Sequence, residues 1–304
     1  MTTSTSGVGY DVDTSILRSF NRAWSQRVGV MEESFLGTGR SFGASRLLFE
    51  IGTSGAGVLE LRRRLALDSG YLSRLLRGLE EERLVEVRPD PADQRRRLVV
   101  PTAAGRRAID RLEDRSEERA AHLVGPLGPS QRRRLSEALA AAERLIRAAT
   151  VTVDRVDVSS AEAVAAVRRY FGELDERFPD GFDPGDAATT DVAGMAPPHG
   201  AFLVGRVDGA VVACGGIQPH TKDIGEIKRM WVDGAWRGCG LGVRMLTALE
   251  DEIRRLGYRE VYLDTNGTLV EAIAMYERSG YRAIERYNDN PFAGHWFAKR
   301  LPRR

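Results

Sequence analysis

One short segment restricts the fold of this chain more than any other. Arg237-Gly238-Cys239-Gly240-Leu241-Gly242 lies between a segment that reads as a strand, Glu226–Val232, and a helical pattern that continues to about Leu256. Glycines let backbone amides approach an anion closely, and the head of the following helix adds unpaired N–H donors and a favourable dipole. A Gly-x-Gly by itself marks many tight turns. Here a strand precedes it and a helix follows, which is the context a phosphate-cradling loop needs. No Gly-Lys-Ser/Thr follows, so this is not a Walker loop, and the third glycine of a dinucleotide fingerprint falls at Val243.

The surrounding residues extend this α/β pattern. Val151–Val158 reads as a strand, Ser159 or Ser160 caps a helix to about Arg177, and Ala201–Val207 and Ala210–Ile217 flank the hairpin turn Asp208-Gly209. Phe178–Gly200 is rich in Pro, Gly and Asp, and a stretch of that length is usually a functional lid or disordered.

The first half reads differently. Leu17, Phe20 and Trp24 have helical spacing within a segment from Asp13 to about Val30, and Ala44–Ile51 and Val58–Leu65 form two further helices. Asp68 caps a fourth, whose Leu72, Leu75, Leu76 and Leu79 form an i, i+3, i+4, i+7 stripe. Ser69, Ser73, Arg74 and Arg77 face the other way, small and basic residues suited to a DNA groove. Leu84–Arg88, a Pro/Asp turn and Arg95-Arg96-Arg97-Leu98-Val99-Val100 then make a hairpin with three arginines near its tip. Helix–turn–helix plus basic hairpin is a winged helix. Thr102 to about Leu123 and Ser130 to about Ala149 are two long helices, with Leu135, Leu139, Ala142, Leu145 and Ile146 on one stripe. Their length points to dimerisation.

At roughly 100–200 residues per domain, 304 residues suggest two domains, 1–149 and 150–304. Residues 1–150 hold 25 arginines, no lysine and 20 carboxylates, a basic balance that suits a polyanionic partner. Two cysteines, Cys214 and Cys239, make no disulfide framework, and no Cys/His cluster has zinc-ligand spacing, so no metal is expected. The N-terminus has no apolar signal region and no apolar run approaches the length of a membrane span, so the expected place is the cytoplasm.

Two family resemblances follow from these residues. Leu67–Leu76, Pro89–Arg97 and Leu98–Gly105 resemble the MarR regulators across nearly all of residues 13–148. The resemblance implies a homodimer on duplex DNA and a role in transcription regulation, with Ser69, Ser73, Arg74 and Arg77 on the recognition helix and Arg95, Arg96 and Arg97 in the wing. Asp93 would orient an arginine. Glu80-Glu81-Glu82 departs from the pattern, because carboxylates repel phosphates.

Glu226–Val232, Arg237–Gly242, Val261–Asn266 and Ala272–Tyr281 resemble the GNAT N-acetyltransferases over residues 151–300. That implies acetyl-CoA as cosubstrate, with Arg237, Gly238, Cys239, Gly240, Leu241, Gly242 and Val243 cradling its pyrophosphate and Met230, Trp231 and Val232 pairing with the pantetheine arm. The asparagine often found three residues before Ala272 is Leu269 here, and Asn266 is the candidate to replace it. Tyr276 occupies the family's position for the acid that reprotonates the departing thiolate. Glu226 is the candidate general base; its other reading is a solvated strand-end carboxylate or a salt-bridge partner of Lys228. A loop histidine, His220, is a surface residue on this reading. Glu173 in the stretch Tyr170-Phe171-Gly172-Glu173-Leu174, Asp183, and Asn288 and Asn290 in Tyr287–Pro291, with the tail His295-Trp296-Phe297, are candidates for the acceptor side, or else caps of helices and turns.

The expected fold is a mostly α winged helix followed by an α/β GNAT fold with a central mixed sheet. The expected activity is acetylation of a small primary amine or amino acid. A protein-lysine acetyltransferase targeted by the DNA-binding half, and an acetyl-CoA-sensing regulator with little turnover, are the alternatives.

Overall fold

The computed structural model describes residues 14–91, 93–183, 185 and 193–302. The N-terminal stretch behind the signal-region expectation, and much of the middle of Phe178–Gly200, lie outside the described residues. The chain divides into two compact units, Met1–Leu135 and Ser136–Arg304.

The first unit runs α1 (Thr14–Arg27), α2 (Phe42–Ile51), β1 (Ala56–Gly57), α3 (Val58–Arg64), α4 (Ser69–Glu81), β2 (Val85–Asp90), β3 (Asp93–Pro101) and α5 (Ala103–Val124), then enters α6 (Pro129–Ala149). Side chains start three of these helices by taking orphan amides: Ser41 from Ala44 N at 3.3 Å, Asp68 from Tyr71 N at 2.8 Å and Thr102 from Gly105 N at 3.0 Å. The stripe on α4 points inward as expected, with Leu72, Leu76 and Leu79 buried and Leu75 half-buried. They pack on Leu47, Leu48 and Ile51 of α2, Leu61 of α3 and Val99 of β3.

The hairpin turn is tighter than its Pro/Asp composition predicts. Pairing of β2 with β3 continues past a register shift as far as Asp90↔Asp93. The strand order is β1-β3-β2, so β2 is an edge strand and Pro89 removes no donor that an inner ladder needs. Strand β1, two residues opposite Leu98 and Val99, is too short to show a period in the sequence. Helix α1 buries no residue; Ile16, Leu17, Phe20 and Trp24 are exposed, as are Leu145 and Ile146 on α6.

The second unit takes in the end of α6. Arg147 pairs with Asp208 at 2.9 Å and lies over the Trp236 ring, and Arg244 donates to the carbonyls of Ala148 and Val151. These contacts explain why the division falls inside α6 rather than after Ala149. There follow β4 (Thr152–Val156), α7 (Ala161–Arg177), β5 (Ala201–Val207), β6 (Ala210–Pro219), β7 (Ile224–Val232), α8 (Leu241–Arg255), β8 (Glu260–Thr265), α9 (Val270–Arg278), β9 (Arg282–Ala283) and β10 (His295–Arg300). Of the two candidate caps for α7, Ser160 takes the Ala163 amide, while Ser159 bonds Asp157. At the β5–β6 turn Asp208 and Gly209 both have positive φ, the geometry of a type I′ hairpin.

The seven strands lie in the order β4-β5-β6-β7-β8-β10-β9, a mixed sheet in which β7 and β8 are the parallel pair. Helix α8 buries Leu241, Met245, Leu249 and Ile253 on one face of the sheet; α7 covers Phe202, Val204 and Cys214 on the other. The tail His295-Trp296-Phe297 is not part of a loop but the start of β10, with Phe297 in the core. Among the described residues no helix is long and apolar enough to cross a membrane.

Two irregularities in β7 position the site. Its pairing with β8 covers Ile224–Ile227 and goes no further. Its register against β6 shifts between Cys214↔Trp231 and Gly216↔Lys228, where Arg229 has φ 55°. A bulge of this kind bends a strand and re-aims its side chains. Lys228–Val232 therefore stays with β6 while β8 diverges, and a cleft opens between the two parallel strands.

Candidate active site

The cleft holds two cavities. One, of about 440 Å³, is lined by Met230, Trp231, Val232, the Arg237–Val243 segment and residues of α7 and α9. Gly238 and Gly240 adopt φ of 77° and 76°, and open space lies where their Cβ atoms would stand. Gly240 caps α8 without a side-chain bond, and the first turn carries no acidic residue. The amides at the head of α8 have no acceptor within the helix. The segment thus presents donors and no opposing charge, which fits a phosphate anion. Gly242 is needed for packing as well, since a Cβ there would sit 2.9 Å from Met275 Sδ. The Cys239 thiol lies 3.8 Å from its neighbour Arg237 O, and no base contacts it. Gly240→Val is expected to raise the apparent KM for acetyl-CoA at least tenfold, because a β-branched residue resists positive φ and crowds the amides. Titration of cofactor binding checks this; an unchanged value removes the loop assignment.

Glu173 belongs to this side, not to the acceptor side where its sequence neighbourhood suggested it. Its carboxylate accepts from Arg237 and from Trp231 Nε1 at 2.8 Å. Partial burial works against its charge, yet the bonds from Arg237 and Trp231 outweigh that and hold the carboxyl below its ordinary range. The glutamate ties α7 to the glycine loop.

The second cavity, about 590 Å³, takes in Glu226, Lys228 and Asp264 on the two diverging strands. Glu226 is 4% exposed and accepts from Gln218 Nε2 at 2.7 Å and Tyr287 Oη at 2.8 Å. Lys228 Nζ lies 2.8 Å from Glu226 and 3.1 Å from Asp264. Glu226 is therefore neither at the strand end nor solvated, and it does pair with Lys228. Burial opposes charge on Lys228, but the two carboxylates more than reverse it, so its pKa lies above the ordinary value. Its stabilising share is thus fully present below that ordinary value and is lost only as pH rises through the raised one.

Asn288 donates to Asp264 at 2.6 Å and to Glu226 at 3.3 Å, and Asn290 donates to Asp264 at 3.3 Å. Both line this cavity, as does Asp183, which also accepts from Gly185 N. Asn266 is here too, away from the glycine loop. Its amide donates to Phe292 O at 2.7 Å and its oxygen accepts from Thr268. It is occupied in turn-building and is not placed to replace a contact on the cofactor side. His220 packs against the rings of Tyr262 and Tyr287.

The two cavities share Tyr170, Leu174, Met230, Leu269, Ala272 and Tyr276. Tyr276 is 6% exposed, with its hydroxyl 3.9 Å from Met230 Sδ. Burial, and then the charge of Asp264, raises its pKa, so the phenol stays protonated and able to donate. Tyr170 is raised likewise, chiefly by burial. Burial pushes the Cys214 thiol up to about 12, which makes it a packing residue rather than a nucleophile.

Asp264 was given no role by the sequence, and Tyr170 stood only as the start of the stretch that holds Glu173. Tyr170 comes from α7, far from the other motifs in the chain. Asp264 stood inside the Val261–Asn266 motif but gained its meaning only beside Lys228. One signal was available for the pair on β7: Glu226 and Lys228 are two residues apart on a strand and so share a face.

In the first unit, Ser69, Ser73, Arg74 and Arg77 are exposed on α4, and Arg95, Arg96 and Arg97 are exposed on β3. Asp93 accepts from the Arg95 backbone amide at 3.0 Å and pairs with Arg96 Nε at 3.2 Å, so the one wing arginine side chain it holds among the described residues is Arg96. Two members of the acidic run are engaged locally, Glu82 with Arg40 at 2.7 Å and Glu80 with the Val87 amide at 3.2 Å.

A glycine-headed helix facing one arm of a strand cleft, with a protonated phenol where two cavities meet, defines an acyltransferase. The acetyltransferase (GNAT) family matches residues 167–281, and the MarR family matches residues 38–96. An IAA acetyltransferase of Azospirillum brasilense is 36% identical over 117 residues, 38% of this chain and 76% of that protein. An uncharacterised N-acetyltransferase of Escherichia coli is 37% identical over 91 residues, 29% of this chain and 54% of that protein. A solved IAA acetyltransferase from Bacillus cereus shares 17% identity, with a TM-score of 0.38, over 50% of this chain and 100% of that one. The chain belongs to the GNAT acetyltransferase family and carries a MarR-family region ahead of that domain.

Proposed function

We propose that residues 150–304 transfer an acetyl group from acetyl-CoA to the nitrogen of a small primary amine, and that residues 1–149 bind duplex DNA as a homodimer. The meeting of two cavities at Tyr276 and Met230 carries the first part. It gives two reactants separate approaches to one point.

Bound acetyl-CoA supplies an acyl group already activated as a thioester. The amides from Gly238 to Val243 hold its pyrophosphate, and the backbone of Met230–Val232, beyond the reach of β8, pairs with the pantetheine arm. An amine at neutral pH is an ammonium, and it must lose a proton before its nitrogen attacks. Glu226 takes that proton. Lys228 is paired with that carboxylate at 2.8 Å. Attack of the nitrogen on the thioester carbonyl breaks the C–S bond, Tyr276 gives its phenolic proton to the departing sulfur, and the second proton that the nitrogen loses as the amide forms restores the phenol. Release of free thiol from acetyl-CoA over a panel of primary amines tests this reading. Binding of acetyl-CoA with no amine-dependent thiol release would overturn it.

For the first half, the support is the outward face of α4 beside an exposed arginine wing. Arg96→Ala is expected to weaken binding to every duplex and to flatten the slope of log K against log salt by about one. Arg74→Ala is expected to cost roughly 1–3 kcal/mol on the preferred site alone. The uncovered apolar faces of α1 and α6 support the dimer, which light scattering of the full chain reads directly. Absence of salt-dependent binding to its own upstream DNA and to random duplex would end the regulator reading.

A further inference from the structure

The acceptor cavity has two unlike walls. One is a chain of rings that begins at the junction of the two cavities. Tyr170 lies 5.5 Å from Phe171, Phe171 lies 5.4 Å from Phe182, and Phe182 lies 4.8 Å from Phe292, with Phe178 5.8 Å from Phe182. All five line the cavity. Rings that served only as core would be fully covered, yet Tyr170, Phe171, Phe182 and Phe292 each keep part of their surface open.

The outer rings are also held in place by their own backbone. Phe182 N donates to Asp175 Oδ1 at 3.0 Å, and Phe292 is gripped at both ends, N to Asn290 Oδ1 at 3.1 Å and O from Asn266 Nδ2 at 2.7 Å. Holding rings before a ligand arrives lowers the ordering cost of binding. The other wall carries the carboxylates of Glu226 and Asp264, both side chains nearly covered, against one ammonium, Lys228. With Asp183, Asp289 and Arg229, which line the same cavity, four carboxylates stand against two cations; the Arg229 guanidinium lies 5.3 Å from the Phe171 ring centroid.

We propose that the acceptor is an arylalkylamine, with its ring against the Phe171–Phe182–Phe292 wall and its ammonium on the side of Glu226 and Asp264. This rests on the acetyltransfer reading above and narrows it. Aromatic faces pair with a flat ring in offset or edge geometry, and a gain of this kind is absent for a flexible alkyl chain. A polyamine offers that wall no ring.

The test compares 2-phenylethylamine with n-butylamine and spermidine on the full chain. Calorimetry reads amine binding and thiol release reads turnover. The expected result is a preference for 2-phenylethylamine of at least tenfold in both. Phe182→Leu and Phe292→Leu are expected to shrink that preference to about twofold, with circular dichroism reporting whether each variant is folded. Thiol release as fast with n-butylamine or spermidine overturns the ring inference and leaves acetyltransfer standing. A tenfold binding preference with no thiol release for any amine upholds the ring wall and overturns acetyltransfer. An undiminished preference in both folded variants also overturns the inference.

Discussion

Tyr276→Phe is expected to lower kcat by about 100-fold or more while the affinity for acetyl-CoA stays nearly unchanged. General acid catalysis typically contributes about 10²–10⁴-fold. The substitution removes one oxygen and keeps the ring, which packs 5.7 Å from Tyr281 and 5.9 Å from Phe297, so the fold is preserved. Among the described residues the hydroxyl's partner is the Met230 sulfur, a weak acceptor. Little stability is therefore lost with it. The protonated phenol is the working form, present below its pKa, and burial has raised that pKa above the ordinary tyrosine value. Its ionisation should therefore cause no fall in kcat below about pH 10, with the alkaline limb lying above. Steady-state kinetics against pH measures both effects. A loss of less than a few-fold would mean that water reprotonates the sulfur.

Glu226→Gln is expected to lower kcat/KM by a similar factor, on the order of 100-fold, and to remove the acidic limb of the profile. A base must be able to take a proton, and an amide in its place cannot. The amide oxygen can still accept from Tyr287, and Lys228 retains Asp264. Thermal unfolding at neutral pH separates a folding defect from a catalytic one. A variant that is slower but keeps the acidic limb would assign Glu226 to packing and the base to another group.

The local signals in this chain proved legible residue by residue. Asp68, Thr102 and Ser160 cap helices because a short polar side chain reaches an amide three residues on, which is a property of adjacent sequence. Asp208-Gly209 turns the hairpin for the same kind of reason. The leucine stripe on α4 determined which face is buried, and so which residues face outward. The Arg237–Gly242 loop needed only its flanking strand and helix to be recognised.

The misplacements share one cause. Glu173 looked like an acceptor-side residue from its aromatic neighbours, but its carboxylate meets Arg237 and Trp231, which arrive from about sixty positions away. Asn266 was a plausible cofactor contact by motif offset, yet the loop carrying Phe292 folds back and takes its amide. Asp264 had no distinguishing pattern until β8 lay parallel to β7. The sequence alone determined the two folds, the glycine-headed helix and the outward face of α4, because caps, periods and turns act within a few residues. Tertiary structure alone decided where β7 leaves β8, how two carboxylates come to share one lysine, and which rings form a wall. Those contacts join distant segments, and their partners are set by packing rather than by neighbours in the chain.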